Sequence, residues 1–366
     1  MIAAGGTGGH IYPGLALAEA IKAAEPDVRV TFVGTRRGLE GRIIPKAGYP
    51  LTTVDMVPLT KKDGWRFPVA LAVASRQCRK VLRDNEAHVA VGMGGYTSAP
   101  LVLAARMAGL PSVIHDANAV PGRANRFSAR LTENVALAFE EAADHLPRNI
   151  DSRTVGMPLV ASLATFDRAA LRPVAREALS LPDSKTLVLV NGGSLGADRL
   201  NEAAIQLALR WRRRTDVRMI IKAGKGGADA INQQLDESGA RHIAESVHYI
   251  ESMDMMYAAA DVAVCRAGAA TIAELGQVGL PAVLVPYPYA PHDHQTRNAE
   301  ALVQNGAAVL LPDNVTTAAA LEVVLGGLVD DPGRRERMAA AALRTARPHA
   351  ARHLARWVTE LAMEHR

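Results

Sequence analysis

The chain has 366 residues, a length that predicts two domains at about 150 residues each. Hydrophobic residues make up 49% of it and charged residues 22%, which excludes an intrinsically disordered protein. Its 42 basic and 37 acidic side chains leave a net charge of +5, too small and too evenly spread an excess to indicate a nucleic-acid-binding protein.

Short apolar, β-branched segments alternate with longer segments of helical spacing along the chain, which predicts βαβ units on parallel sheets. The predicted strands carry few charges, as strands buried on both faces should. They are Val28–Val33, His88–Val91, Ser112–Ile114, Thr186–Val190, Arg218–Ile221, Val262–Cys265 and Ala282–Val285. The predicted helices include Pro13–Ala24, Pro100–Ala108, Leu200–Arg210, Thr271–Val278 and an amphipathic Ala351–Arg366.

A strand that leads into a glycine-rich loop and then a helix occurs twice, at Gly5–His10 and at Asn191–Gly196. The repeat predicts two open α/β domains whose ligands bind beyond the carboxyl ends of the strands. We expect residues 1–158 to form the first domain, with the helix 346–366 packed back on it. Residues 159–345 are expected to form the second.

The cysteines and the apolar segments indicate in which cellular compartment the protein is expected. Cys78 and Cys265 lie far apart in sequence, which predicts a reducing compartment and neither a disulfide framework nor a zinc site. The first residues lack the basic and apolar regions of a secretory signal. No apolar run approaches the roughly 18 residues that cross a bilayer. We therefore expect a protein that is cytosolic or bound peripherally to a membrane.

The segment Lys61–Leu71 combines basic residues with aromatic and aliphatic ones. An interfacial patch on an anionic leaflet requires this combination. Trp65, Phe67 and Leu71 are its predicted membrane contacts. The alternative interpretation is the ordinary buried start of a helix.

The glycines of Gly5–Gly9 allow the backbone to approach a ligand closely, and the start of the next helix offers N–H groups to an anion. The motif departs from the dinucleotide fingerprint because Ile11 occupies the third glycine position. Arg36 and Arg37 follow the second strand and could bind a 2′-phosphate, so an NADP-dependent oxidoreductase stays open. His10 can accept a hydroxyl proton near neutral pH, as a general base must.

Three features of the second half favour a sugar nucleotide. Ser194 offers a hydroxyl donor beside backbone N–H groups, an arrangement suited to a phosphate. The small residues after Cys265 would let a pyrophosphate dock at a helix start, and Glu274 could accept two hydrogen bonds from a ribose diol. Gln295 is predicted to hydrogen-bond a sugar. A metal site at His292–His294 is disfavoured because the spacing places no third ligand.

Taken together, these motifs resemble the MurG family of glycosyltransferases. That family transfers N-acetylglucosamine from UDP-GlcNAc to undecaprenyl-diphospho-N-acetylmuramoyl-pentapeptide (lipid I). The matching stretches follow the family's order along nearly the whole chain: Gly5–Gly14, Val91–Pro100, His115–Asn118, Gly192–Asn201, Cys265–Glu274 and Asp293–Asn298.

The resemblance implies an α/β protein of the GT-B fold, with two Rossmann-like domains whose parallel sheets face a central cleft. It places the acceptor site mainly in the N-terminal domain and the nucleotide site mainly in the C-terminal one. It implies an inverting transfer to the C4 hydroxyl of N-acetylmuramic acid, giving lipid II for peptidoglycan, with neither a metal nor another cofactor. The implied partners are UDP-GlcNAc, lipid I and the anionic inner leaflet, with the protein peripheral on the cytoplasmic side of the cell membrane and no nucleic acid bound.

Residue roles follow from the resemblance by motif, with His10 as the base. The implied substrate contacts are Thr7, Gly8, Gly9, Asn118, Ser194, Ile250, Arg266, Ala269, Ala270, Thr271, Ile272, Ala273, Glu274 and Gln295. The loop implied for the acceptor diphosphate consists of Gly94, Gly95 and Tyr96.

The chain also departs from the family's pattern. Met157 and Val160 stand where the family usually has Asn and Arg, Asp116 and Ala117 where Glu and Gln are common, and Leu195 where Gln is usual. These departures leave open a related GT-B transferase with a different sugar or acceptor, as in natural-product glycosylation. A non-transferring relative such as a UDP-sugar epimerase also stays open.

Overall fold

The computed structural model describes residues 1–36, 38–56, 67–147, 149–193, 196–224 and 227–365. Several residues used above lie outside the described ones, namely Arg37, Lys61–Arg66 with Trp65, Ser194 and Leu195. The chain divides into two compact units. One consists of Met1–Ala161 and Arg347–Arg366, and the other of Ser162–Ala346.

The N-terminal unit is built on a parallel sheet of seven described strands in the order β3-β2-β1-β4-β5-β6-β7. The strands are β1 (Ile2–Ala3), β2 (Phe32–Gly34), β3 (Leu51–Thr53), β4 (Ala90–Gly92), β5 (Ser112–Asp116), β6 (Asn134–Leu137) and β7 (Asp151–Thr154). The helices are α1 (Gly8–Ala24), α2 (Glu40–Lys46), α3 (Phe67–Asp84), α4 (Ser98–Met107), α5 (Arg123–Ser128) and, from the end of the chain, α15 (Ala350–Glu364), with a 3₁₀ helix at Glu140–His145.

The strand order of this sheet reverses between β1 and β4, which pair in parallel with Ala3 opposite Gly92. The carboxyl ends at such a switch point are where open α/β sheets bind ligands. Two of the predicted loops, Gly5–His10 and Gly94–Tyr96, follow these two strands. The topology alone therefore brings them to one edge of the sheet.

Helix α15 completes the core of the N-terminal unit. Its Leu354, Trp357 and Val358 are buried in one apolar cluster with Ile11 and Leu15 of α1. Trp357 and Val358 lie three and four residues after Leu354, which places all three side chains on one helical face. The end of the chain thus supplies a layer of the sheet-and-helix packing that its beginning requires.

The C-terminal unit has a parallel sheet of six described strands in the order β10-β9-β8-β11-β12-β13. The strands are β8 (Thr186–Asn191), β9 (Val217–Lys222), β10 (Ala244–Val247), β11 (Val262–Cys265), β12 (Ala282–Leu284) and β13 (Ala308–Leu310). Its helices are α7 (Arg168–Ala178), α8 (Asp198–Arg210), α9 (Ala228–Glu237), α10 (Met253–Ala259), α11 (Ala269–Val278), α12 (His294–Val303), α13 (Ala318–Val329) and α14 (Pro332–Arg344). The short helix α6 (Ala161–Ala164) leads into this unit, and 3₁₀ turns occur at Pro291–Asp293 and Asp313–Val315.

The second sheet repeats the reversal of the first, here between β8 and β11, with Asn191 opposite Cys265. The glycine loop after β8 and the small-residue loop after β11 therefore share one edge of the sheet. Strand residues such as Leu187, Val188 and Val264 are fully buried, as a sheet covered on both faces requires. Within the described ranges, no helix combines the length and apolar character that crossing a bilayer demands.

Candidate functional site

The first glycine loop passes directly into a helix. Helix α1 begins at Gly8, so Gly8, Gly9 and His10 form its first turn rather than a loop before it. Thr7 is the N-cap residue with extended backbone, its side chain makes no capping hydrogen bond, and its carbonyl oxygen accepts the His10 N–H at 3.2 Å. The predicted donor contacts Thr7 to Gly9 therefore lie at a helix N-terminus, where backbone N–H groups favour negatively charged or polar ligand groups.

A buried carboxylate that the sequence analysis missed anchors this loop. Glu40 is 0% exposed, and its Oε2 accepts the Gly6 N–H at 3.0 Å. Its Oε1 accepts both the N–H (2.9 Å) and the hydroxyl (2.8 Å) of Thr35, just after β2. The Thr35 hydroxyl lies 3.3 Å from that of Tyr96. A Cβ on Gly5 would lie 2.8 Å from Oε1, so the glycine makes room for the carboxylate.

The imidazole of His10 packs against the loop predicted for the acceptor. Gly94 and Gly95 have φ of +100° and +75°, in the region that favours glycine. A Cβ on Gly94 would lie 2.9 Å from His10 Cδ2, and one on Gly95 would lie 3.3 Å from Nδ1. Ser98 holds the loop by donating to the Gly94 carbonyl and accepting its N–H. The structure thus brings together the predicted base and the predicted acceptor loop.

The surroundings of His10 keep its ring neutral. The side chain is half-buried, and its Nδ1 atom is buried without a hydrogen bond of ordinary geometry among the described residues. Burial lowers the pKa of His10 below its usual value, and the backbone of Gly5 offsets part of that change. A neutral imidazole at pH 7 is the form that a general base requires.

The segment that carries Asn118 is held by buried polar groups. Nε2 of His115 lies 3.0 Å from the Gly156 carbonyl oxygen, and burial lowers the pKa of His115 to about 4. Asp116 accepts the backbone N–H of Asn118 at 3.0 Å and the side-chain N–H of Asn125 at 2.9 Å. Asp116, a departure from the family's usual Glu, therefore fixes the turn that presents Asn118.

The second glycine loop is held by the side chain of an asparagine rather than by a buried carboxylate. Oδ1 of Asn191 accepts the Gly193 N–H at 3.0 Å, and Gly193 has φ of +89°. A Cβ on Gly192 would lie 2.6 Å from the backbone nitrogen of Ala197. The loop therefore needs glycine for its close backbone packing. Ser194, which follows it, lies outside the described residues, so its phosphate contact stays a prediction.

Helix α11 presents its N-terminus at the end of β11. It begins at Ala269 with Gly268 as N-cap, and its first turn carries no acidic residue. Small side chains leave the first N–H groups open to an anion. Of the predicted contacts in 269–273, Ala269 and Ile272 are buried and the others are half-buried. The two buried side chains can offer a ligand little more than their backbone.

Glu274 lies further along α11 and is held by a group that the sequence analysis missed. The buried hydroxyl of Tyr257, on α10, donates to Oε2 of Glu274 at 2.7 Å. Burial raises the pKa of Glu274 to about 7, while the Tyr257 hydrogen bond and the charge of Lys222 act in the opposite direction. Lys222 ends β9, and its Nζ lies 5.7 Å from the ring centroid of Tyr249. Ile250, the residue predicted to flank the base, follows Tyr249 and is 8% exposed.

Arg266 and Gln295 both contact the segment that follows β12. One nitrogen of Arg266, Nη1, donates to Asp313 at 2.6 Å and to the carbonyl oxygen of Val285 at 3.1 Å. Oε1 of Gln295 accepts the Tyr287 N–H at 2.9 Å. At least part of each side chain therefore shapes this loop, and their contacts with a substrate stay predictions.

The predicted membrane residues differ in their surroundings. Phe67 and Leu71 pack in part against the apolar cluster beneath α3, so each presents only part of its side chain to solvent. The reason is the register of α3, which turns Val69 (69% exposed) and Val73 (40% exposed) outward instead. Trp65 lies outside the described residues. In the early turns of α3, Val69 and Val73 are thus the large apolar side chains that face outward.

Comparison with known proteins identifies the family. The model of the glycosyltransferase family 28 N-terminal domain matches residues 1–137, and that of the family's C-terminal domain matches residues 187–354. The chain belongs to glycosyltransferase family 28. With the two parallel sheets, this match confirms the predicted α/β architecture of two Rossmann-like domains of the GT-B class. It also removes the oxidoreductase alternative.

Transferases from several bacteria are similar over nearly the whole chain. The UDP-N-acetylglucosamine–N-acetylmuramyl-(pentapeptide) pyrophosphoryl-undecaprenol N-acetylglucosamine transferase of Rhodococcus erythropolis is 39% identical, over 99% of this chain and 94% of its own. The enzyme of the same name from Salinibacter ruber is 40% identical, over 100% and 97%. The crystal structure of Acinetobacter baumannii MurG is 28% identical and superimposes with a TM-score of 0.77, over 98% of this chain and 99% of that one. The resemblance to the MurG family is thereby confirmed.

Proposed function

We propose that the chain transfers N-acetylglucosamine from UDP-GlcNAc to the C4 hydroxyl of N-acetylmuramic acid in lipid I, which yields lipid II for peptidoglycan. The observation that carries the proposal is end-to-end similarity to transferases whose names state this reaction. The transfer needs a base for the acceptor hydroxyl and a fixed positive environment for the departing diphosphate. The described residues offer one of these in each unit.

In the N-terminal unit, His10 is the proposed base. Its ring is neutral at physiological pH because burial lowers its pKa. It takes the proton of the acceptor hydroxyl as that oxygen attacks the anomeric carbon from the face opposite UDP, which inverts the configuration there. Gly94 and Gly95 support this role because they pack on the ring and belong to the loop proposed for the acceptor diphosphate.

In the C-terminal unit, the N-terminus of α11 is the proposed site of the diphosphate. Its first N–H groups and the positive end of the helix stabilise the charge that develops on UDP, with Ser194 as a further donor. Glu274 accepts the ribose hydroxyls, and Ile250 flanks the uracil. This arrangement needs no proton transfer to the leaving group, because the helix dipole is fixed before the reaction begins.

Product analysis tests the reaction. The protein is incubated with a short-chain lipid I analogue and UDP-GlcNAc, and in parallel with UDP-GalNAc or UDP-glucose, and the products are weighed by mass spectrometry. We expect one N-acetylhexosamine to be added from UDP-GlcNAc alone. Preference for another UDP-sugar would favour the natural-product alternative. Epimerised UDP-sugar without a glycosidic product would contradict transfer altogether.

The lipid-linked acceptor implies a membrane, and we propose that α3 contacts its anionic cytoplasmic surface. Val69 and Val73 form the outward apolar face of the helix. A groove of about 640 Å³ at its later turns is lined by four cations, Arg76, Arg79, Lys80 and Arg83, together with Glu86 and apolar side chains. Apolar side chains beside cations are the combination that holds a peripheral protein on anionic lipid.

Vesicle sedimentation tests this surface. We expect Val69→Asp/Val73→Asp to bind vesicles containing anionic phosphatidylglycerol several-fold more weakly, because two carboxylates replace inserted apolar groups beside an anionic surface. Val174→Asp is the matched control, since Val174 is similarly exposed on α7 of the other unit. Equal loss in the control, or no loss in the double variant, would argue against α3 as the contact.

A further inference from the structure

The hydroxyl of Tyr257 is buried in the C-terminal unit, and it is bonded to a side chain assigned to ligand binding. Tyr257 is 2% exposed on α10, and its Oη donates to Oε2 of Glu274 at 2.7 Å. A buried phenol pays a desolvation cost unless it has a partner. Here its partner is a carboxylate that lies at the edge of the sheet where the nucleotide is proposed to bind.

Groups from three elements face Glu274. Tyr257 approaches from α10 as a neutral donor, because burial raises its pKa well above the usual value. Lys222 approaches from the end of β9 as a cation that interacts electrostatically with the carboxylate. Cys265, from β11, remains a neutral thiol because burial raises its pKa to about 12. The donor and the cation both favour the ionised form of Glu274, whereas its own burial disfavours that form.

We propose that Tyr257 is a positioning residue for nucleotide recognition: its hydroxyl occupies Oε2 and orients Glu274 so that the carboxylate accepts the ribose diol, with Lys222 as the balancing cation. This inference rests on the proposed assignment of Glu274 to the ribose. Neither Tyr257 nor Lys222 belongs to the motifs that indicate the sugar-nucleotide site.

The arrangement makes nucleotide affinity depend on pH. The carboxylate accepts both diol hydroxyls only when ionised, so UDP affinity falls as the pH drops through about 7, the pKa of Glu274. Removing the Tyr257 hydroxyl removes a hydrogen bond that stabilises the ionised form. The midpoint of the pH dependence of UDP affinity then moves to higher pH. Removing the charge of Lys222 moves it in the same direction.

Calorimetric titration of the full chain with two ligands isolates the ribose contact. UDP carries the diol, and 2′,3′-dideoxy-UDP lacks both hydroxyls. At pH 7.5 we expect Tyr257→Phe to weaken UDP binding about five- to tenfold, the effect of one ordinary hydrogen bond, and to change binding of the dideoxy ligand less than about twofold. Tyr49→Phe, a change in the other unit, is the matched control and should leave both affinities unchanged.

The outcomes distinguish a failure of the proposed role of Tyr257 from a failure of the assignment of Glu274 to the ribose. If the unmodified chain and Glu274→Gln each bind the two ligands equally well, Glu274 does not contact the ribose and that assignment fails. If Glu274→Gln loses the preference for UDP while Tyr257→Phe keeps it with an unshifted pH midpoint, Tyr257 has no positioning role. Should Tyr257→Phe not fold, Lys222→Met decides, because an unshifted midpoint there would overturn the charge arrangement.

Discussion

Two carboxylates lie beside the nucleotide-type loops of the two units, and their surroundings differ. Glu40 is fully buried, and both of its oxygens accept hydrogen bonds from the backbone or side chains of Gly6 and Thr35. Glu274 is only half-buried, and among the described residues one hydroxyl, that of Tyr257, donates to it. The hydrogen bonds around Glu40 therefore fix its carboxylate in place. The carboxylate of Glu274 can still accept a further hydrogen bond or a proton.

The largest effect on activity should come from His10, which follows the glycine loop that Glu40 holds in place. We expect His10→Ala to lower kcat by about 10²- to 10⁴-fold, the usual contribution of a general base. Affinity for UDP should stay unchanged, since Glu274 and α11 lie in the other unit. Steady-state kinetics and calorimetry measure the two quantities. Retained turnover would exclude His10 as the base.

Matched Glu→Gln substitutions test the comparison directly. In Glu40→Gln an amide N–H₂ replaces one acceptor and leaves a buried donor unpaired, so we expect the free energy of unfolding to fall by about 1–3 kcal/mol. Glu274→Gln should cause no such loss, because the amide oxygen can still accept the Tyr257 hydroxyl. Urea denaturation measures both. Equal losses of unfolding free energy in the two variants would mean that buried hydrogen bonds fix both carboxylates in the same way.

Glu274 also makes the unfolding free energy depend on pH. Its folded pKa of about 7 exceeds the ordinary 4.5, so the folded chain binds this proton more tightly than the unfolded chain. The resulting stabilisation is complete below pH 4.5 and is lost as the pH rises through 7. The difference in unfolding free energy between the unmodified chain and Glu274→Gln should therefore decrease over that range, while UDP affinity increases. A difference that does not vary with pH would contradict the raised pKa.

The strands that the sequence predicted best are those buried on both faces. The predicted Val262–Cys265 coincides with β11, whereas Val28–Val33 shortens to Phe32–Gly34 because the Val28 N–H is engaged in a turn with Glu25. The edge strand β7 (Asp151–Thr154) is exposed and polar, so it has no apolar pattern to reveal it. Helix α1 begins at Gly8, before the predicted Pro13. The prediction missed its first turn because Gly8 and Gly9 have the composition of a loop.

The site could be predicted where it depends on local motifs and not where it depends on distant partners. The glycine loops and His10 are visible as short patterns. Glu40 acts on Gly6, 34 residues away, and Tyr257 acts on Glu274, 17 residues away, and no local periodicity links such pairs. One signal was present for Glu40: the glycines at 34 and 38 surround it, and a Cβ on either would collide with its side chain.

Helix α15 has a consequence for biosynthesis. Until the ribosome has released Leu354, Trp357 and Val358, the part of the α1 surface that packs against α15 stays uncovered, because those residues belong to the same cluster as Ile11 and Leu15. The intervening unit, Ser162–Ala346, leaves the exit tunnel before α15 and can fold on its own contacts. The unit that carries His10 is thus the last to complete its apolar core, because α15 is added to it only after the other unit has been synthesised.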